Sequence, residues 1–258
     1  MSGPVELSCV DKIATLTLSR PNQGNTIDPA MALALLKAAE RCDEDDDVRC
    51  VILTGRGKLF CGGGDVGAFA AAGDDVSAFL QDLAGTLHAA IVRLMRMRKP
   101  LITLVNGPAA GAGMSLAMIG DFALAARSAH FSAAYTALGL SPDGGMSWLL
   151  PRVVGLRRAQ EIILSNRRVS SDEAARIGLV TRVVEDEQLA AAGADIAAKL
   201  AAQPVAALGA ARRLLLESYD STLEAQLQRE TQSIAELGRS DESRRRVAGF
   251  AARRNSNG

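Results

Sequence analysis

Apolar and polar residues alternate over Val5–Val10 and again over residues 13–19, on either side of the polar pair Asp11-Lys12. A period of two interrupted by a two-residue polar turn predicts an antiparallel hairpin. The polar loop Arg20-Pro21-Asn22-Gln23-Gly24-Asn25 follows. Asp28-Pro29 then supplies an N-cap and a first-turn proline for a helix over 31–41. The acidic run 43–47 predicts a solvated turn, and 48–54 a short strand stopped by Gly55-Arg56-Gly57. Leu59-Phe60-Cys61 has the content of another short strand, ending at Gly62-Gly63-Gly64-Asp65. A long helix is expected over 76–97, then a buried strand at Leu101–Val105 and a turn at Asn106-Gly107-Pro108.

Gly111-Ala112-Gly113 opens an apolar helix through Ile119. Phe122–Ala126 and His130–Ser132 fit two further strands, the second leading to a helix near 133–138. Beyond Pro151 the pattern becomes helical over 156–164, 171–177, 189–200, 205–216 and 219–237, with cap chemistry at Ser171-Asp172-Glu173-Ala174. Repeated strand–strand–helix units followed by helices predict an α/β fold. Residues 1–195 are expected to form its core, and 196–258 a helical region that covers the site or joins subunits.

Composition narrows the function classes. A chain of 258 residues is long enough for one large core with a helical appendage. Twenty-nine Lys+Arg against twenty-nine Asp+Glu leave no net charge, which argues against a broad nucleic-acid surface. Cys9, Cys42, Cys50 and Cys61 lack C-x-x-C spacing, and His88 and His130 are the two histidines, so no metal site is expected. The apolar stretch 101–126 is interrupted by Asn106, Pro108 and Asp121, hence buried rather than membrane-spanning. Residues 1–4 run directly into strand-like sequence, no secretory segment is expected, and the cytoplasm is the expected compartment.

Two glycine-rich segments invite chemistry: Phe60-Cys61-Gly62-Gly63-Gly64-Asp65 and Asn106-Gly107-Pro108-Ala109-Ala110-Gly111-Ala112-Gly113. Each is either a crowded turn or a place where freed backbone N–H groups bind an anion or a developing oxyanion. Neither has the G-x-G-x-x-G spacing of a dinucleotide site, and no Walker lysine follows. Pro142-Asp143-Gly144 has the composition of a turn, and it also presents a carboxylate.

These segments resemble the crotonase superfamily, the enoyl-CoA hydratase/isomerase family, and the resemblance runs over essentially the whole chain. Leu59-Phe60-Cys61-Gly62-Gly63-Gly64-Asp65-Val66 is similar to its F-C-A-G-A-D-L segment, and 105–113 to its V-N-G-x-A-x-G-G-G segment. The resemblance implies a spiral of β-β-α units with a C-terminal helical region, trimers or pairs of trimers, and coenzyme A thioesters as substrates. No tightly bound cofactor is implied, since coenzyme A arrives as part of the substrate. It places the oxyanion-hole N–H groups on Gly64 and Ala112. Gly62, Gly63, Val66, Gly111 and Tyr135 fall at the acyl-CoA site. Asp65 falls there too, either bracing the turn or lying near the pantetheine.

The two glutamates of the resembled hydratases are replaced by Ser115 and Tyr135, neither of which is an ionised carboxylate near neutral pH. Leu140-Ser141-Pro142-Asp143 instead resembles the acid-bearing segment of enoyl-CoA isomerases and of the phenylacetate-pathway epoxide isomerase. The resemblance therefore makes Asp143 the single proton-transferring carboxylate of an isomerase. The neighbouring aryl-CoA dehalogenases use an aspartate and a histidine at the positions of Asp143 and His88, with an aromatic residue near Tyr135. Some members bind RNA or act in assembly, against which the balanced charge and the retained Asp143 weigh. At the C-terminus, Arg245-Arg246 stand where the family has E-G, either as part of a solvated basic helix or facing coenzyme A phosphates.

Overall fold

The computed structural model describes residues 3–256; Met1 and Ser2, part of the start from which no secretory segment was expected, lie outside them. Strands β1 (Val5–Val10) and β2 (Ile13–Leu18) form the expected hairpin. Asp11 and Lys12 both take positive φ, 50° and 66°, the turn geometry whose twist matches that of the flanking strands. The alternation of β2 buries Ala14, Leu16 and Leu18. β3 (Cys50–Gly55) and β4 (Leu101–Val105) lie parallel to β2 and read as continuous apolar runs because both faces are covered.

Helix α1 (Pro29–Glu44) begins where the Asp28 carboxylate accepts the Met31 N–H at 2.8 Å, and it packs against α3 (Val76–Arg96). Between them lies α2 (Val66–Ala71), which the sequence pattern did not reveal. β5 (Ala109–Ala110) leads into α4 (Ala112–Met118), and β6 (Phe122–Ala126) extends the large sheet. β7 (His130–Ser132), α5 (Met146–Val154), α6 (Leu156–Ser165), β8 (Val169–Ser170), α7 (Ser171–Arg176) and β9 (Arg182–Val184) follow. The large sheet has the order β1-β2-β3-β4-β6-β9, and β5-β7-β8 make a second, smaller sheet.

Helix α8 (Leu189–Ala201) lies on the large sheet, where Leu104 of β4 packs so closely on Gly193 that a Cβ there would fall 2.5 Å from its Cδ1. The expected boundary at 195/196 thus falls inside this helix. α9 (Val205–Glu217), α10 (Leu223–Gly238) and α11 (Asp241–Ser256) form the C-terminal helical layer.

Three local expectations are corrected, and one helix start lies outside what was expected. Leu59-Phe60-Cys61 is not a strand: its only ladder contact is a single bridge from Cys61 to Ala109, since the Phe60 and Cys61 N–H groups both point at the Pro108 carbonyl. The helix near 133–138 is one 3-10 turn, Thr136–Leu138, because Ala134 takes φ 61° and turns the chain. Helix α5 starts well before Pro151 and contains it; the missing N–H forgoes only a bond to Ser147, an exposed residue. The helix expected over 219–237 is split, because Ser218–Asp220 forms a 3-10 turn and the Thr222 hydroxyl caps a fresh start at Leu223.

Candidate active site

The two glycine-rich turns meet backbone to backbone. The Ala110 N–H donates to the Cys61 carbonyl at 3.0 Å, and a Cβ on Gly113 would sit 2.1 Å from that same oxygen. Gly63 takes φ 96°, and a Cβ there would lie 2.8 Å from the Ala110 carbonyl oxygen. No other residue allows so close an approach at these two positions.

From the other side, the loop at 24–27 clamps the first turn. Asn25, wholly buried and at φ 53°, reaches with its side-chain amide the carbonyls of Leu59 at 2.9 Å and Phe60 at 3.2 Å. The Ile27 N–H donates to Gly63, and the Asp65 N–H donates back to Ile27. Asn25 stands in what the sequence shows only as a polar loop; the carbonyls its amide N–H groups reach are more than thirty residues away, and no local pattern marks it.

Gly64 and Ala112 come together along one cavity of about 240 Å³. Gly62, Gly63, Val66, Gly111 and Tyr135 line it as well, and so does Asp143. Among the described residues, neither the Gly64 N–H nor the Ala112 N–H donates a hydrogen bond to the protein. Ala112 is the first residue of α4, where the N–H has no partner within the helix and the helix dipole is positive. Apolar walls come from Phe69 of α2 and from Leu80, Leu83 and Leu87 of α3.

Asp65 does not line this cavity. Its carboxylate accepts the Ala68 N–H at 3.2 Å, capping α2, and lies 3.5 Å from the Arg20 guanidinium. Of the two expectations for this residue, bracing the turn matches where the side chain is found.

Asp143 sits in a loop held from three helices. Its backbone carbonyl accepts the Ser115 hydroxyl of α4 at 3.0 Å and the Met146 N–H of α5 at 3.1 Å. The next N–H, of Gly144, donates to Nε2 of His88 on α3 at 3.0 Å. The Tyr135 hydroxyl donates to Asp143 Oδ1 at 2.5 Å, while His88 Nε2 stands 3.7 Å from Oδ2. Burial, followed by the neighbouring Asp143 charge, pushes the Tyr135 hydroxyl well above the usual tyrosine range. Ser115 is fully buried and braces the loop rather than facing the cavity.

A larger cavity of about 520 Å³ opens on the far side of Gly144 and His88, between α3, α5 and α9. Of the candidate residues it contains His88, while Asp143, Gly64 and Ala112 line the smaller one. Trp148 lines the larger cavity, whereas Met146 is fully buried in the core. His130 lies in β7, and its imidazole is held below the usual histidine range by burial and then by Arg168. Among the described residues no cluster of three or more His, Cys, Asp or Glu is placed to hold a metal.

Residues 9–257 match the enoyl-CoA hydratase/isomerase family model. The 1,2-epoxyphenylacetyl-CoA isomerase of Escherichia coli (strain K12) is 38% identical over 257 residues, covering 96% of this chain and 95% of its own. A 4-chlorobenzoyl coenzyme A dehalogenase-2 from an Arthrobacter species is 32% identical, covering 89% and 84%. The crystal structure of an enoyl-CoA hydratase from Polaromonas sp. JS666 superposes with a TM-score of 0.92 at 30% identity, covering 96% and 97%. Spiral core, paired glycine turns and whole-chain similarity agree: the chain belongs to the enoyl-CoA hydratase/isomerase family, with the crotonase fold, and is an enzyme of that family.

Proposed function

We propose that this enzyme is an acyl-CoA isomerase that shifts a double bond through an enolate, on a ring-containing or other apolar CoA thioester. One observation carries the reading. Among the described residues lining the cavity, the single carboxylate is Asp143, facing the same space as the Gly64 and Ala112 N–H groups.

The thioester carbonyl accepts hydrogen bonds from those two N–H groups. Asp143 takes the α-proton, and the electron pair moves onto the thioester oxygen, where the donors stabilise it. One oxyanion donor is worth roughly 2.7–4 kcal/mol in an acyl-transfer enzyme. The protonated Asp143 then returns the proton to the γ-carbon as the enolate collapses, leaving the double bond in conjugation. The apolar walls keep water from competing for the enolate. A hydratase needs a second carboxylate to orient water, and Ser115 and Tyr135 occupy those positions. The similarity to an epoxyphenylacetyl-CoA isomerase supports a ring-containing acyl group.

Asp143→Asn keeps the side-chain volume and cannot exchange a proton at neutral pH. It is expected to bind acyl-CoA normally while isomerisation of a 3-enoyl-CoA, and α-proton exchange in heavy water, fall by on the order of 10² or more. Undiminished turnover and exchange in the folded variant would remove this mechanism.

A second reading is motivated by His88 Nε2 standing 3.7 Å from Asp143 Oδ2 and by the dehalogenase similarity. Here Asp143 attacks an aryl carbon as nucleophile and His88 activates water. A screen of 3-enoyl, 2-enoyl, epoxyphenylacetyl and halobenzoyl thioesters separates the two. Halide release with a covalent Asp143 adduct in the mass spectrum would favour the second.

A further inference from the structure

The two carboxylate oxygens of Asp143 have different neighbours. Oδ1 accepts the Tyr135 hydroxyl at 2.5 Å, and Oδ2 has no hydrogen-bond donor among the described residues. His88 Nε2, 3.7 Å from Oδ2, already accepts the Gly144 N–H, which leaves that nitrogen no proton to offer. We infer that Tyr135 is a positioning residue for Asp143, holding Oδ1 so that Oδ2 is left as the oxygen that exchanges a proton with substrate. The inference rests on the proton-shuttle reading of Asp143 above.

Three features support it. Tyr135 is pinned in place: its ring lies against the core, and its hydroxyl is within reach of both the carboxylate and the carbonyl of Asp143. The hydroxyl titrates far above neutral pH, because burial and the adjacent negative charge both oppose its ionisation, so it remains a donor throughout the working range. A donor fixed on one carboxylate oxygen restrains the rotation of the group. The base is therefore aimed before substrate arrives. Tyr135 thus does more in this chain than form a pocket wall.

The titratable groups around Asp143 are few. Tyr135 bonds it, and His88 of α3 faces Oδ2; Ser115 of α4 holds its carbonyl but does not ionise in this range. Arg96, Arg213, Glu217 and Asp220 share the neighbouring cavity with His88, beyond Gly144.

Tyr135→Phe deletes the hydroxyl and keeps the ring. In full-length protein, kcat for a 3-enoyl-CoA and α-proton exchange in heavy water are both expected to fall on the order of tenfold through lost aim, with KM nearly unchanged. A pocket wall alone would alter KM and leave kcat and exchange where they were. Unchanged kcat and exchange in folded Tyr135→Phe overturn the role of Tyr135, even if Asp143→Asn is inactive. Full turnover in Asp143→Asn overturns the shuttle reading and the inference with it.

Discussion

Ala112 contributes to the candidate site only through its backbone, and its position in the fold makes that contribution testable. As the first residue of α4 it occupies the one helical position where proline is well tolerated. Gly111 before it, at φ 52° and ψ −127°, has the freedom to accept a following proline. Ala112→Pro therefore removes the N–H with little cost to the helix, whereas Ala112→Gly keeps the donor and removes only the methyl. Turnover is expected to fall on the order of 10²–10³ in the proline variant and to persist in the glycine variant, measured beside thermal melts of both. Equal activity in the two would exclude this N–H from the oxyanion site. Gly64 is a poorer place for such a test. Any side chain there meets Phe69, whose Cζ would lie 2.4 Å from an added Cβ.

At the scale of elements, buried cations hold helix ends together. Lys99 Nζ donates to the carbonyls of Cys42, Asp43 and Asp45 as α1 ends. Arg212 of α9, 9% exposed, pairs with Asp121 at 2.7 Å and donates to the carbonyls of Leu94, Met97 and Lys99. Asp121 in turn accepts the Leu101 N–H at 2.7 Å, so one guanidinium links α9 to the end of α3 and to the start of β4. Losing it strands several carbonyls in a poorly hydrated place, while Asp121 stays in reach of water. Arg212→Ala is expected to destabilise the fold by about 3 kcal/mol, with Arg212→Lys intermediate because one ammonium satisfies fewer of these acceptors. Urea midpoints at unchanged slope measure this; a midpoint shift too small to resolve would mean that water replaces the guanidinium. The helices on either side of the larger cavity are joined differently. Arg152 of α5 stacks 4.0 Å from the Trp148 ring and 5.1 Å from that of Tyr219.

For the whole molecule, the C-terminal helices present more apolar surface than one chain covers. Leu215, Leu223, Leu227, Ile234, Val247 and Phe250 are all more than half exposed. We propose that these apolar residues, spread over three successive helices, take part in an association surface. Together with the family resemblance they support a homotrimer or a pair of trimers. Light scattering after gel filtration is expected to give a mass three or six times that of the chain, and Leu223→Asp with Ile234→Asp to reduce it. A monomeric wild-type protein at micromolar concentration would contradict this. Among the described residues no helix is long and apolar enough to cross a membrane.

The pattern of the chain by itself determined the elements whose signal is local. The β1–β2 hairpin follows from alternation about Asp11-Lys12, and α1 from its Asp28-Pro29 start. β4 is visible as an unbroken apolar run, and the two site turns as runs of glycine that the family motifs then matched. Each rests on neighbours in sequence, where propensity and periodicity act. Tertiary structure decided the rest. The short α2, the start of α5 across Pro151 and the three-residue β9 have weak local signals, and packing stabilises them. Asn25 and Ser115 act on partners 28 to 35 residues away. The Asp143 carboxylate was legible as a candidate acid. Which of its oxygens is held, and by whom, was not, because Tyr135 and His88 approach it from separate segments that only the folded chain brings together.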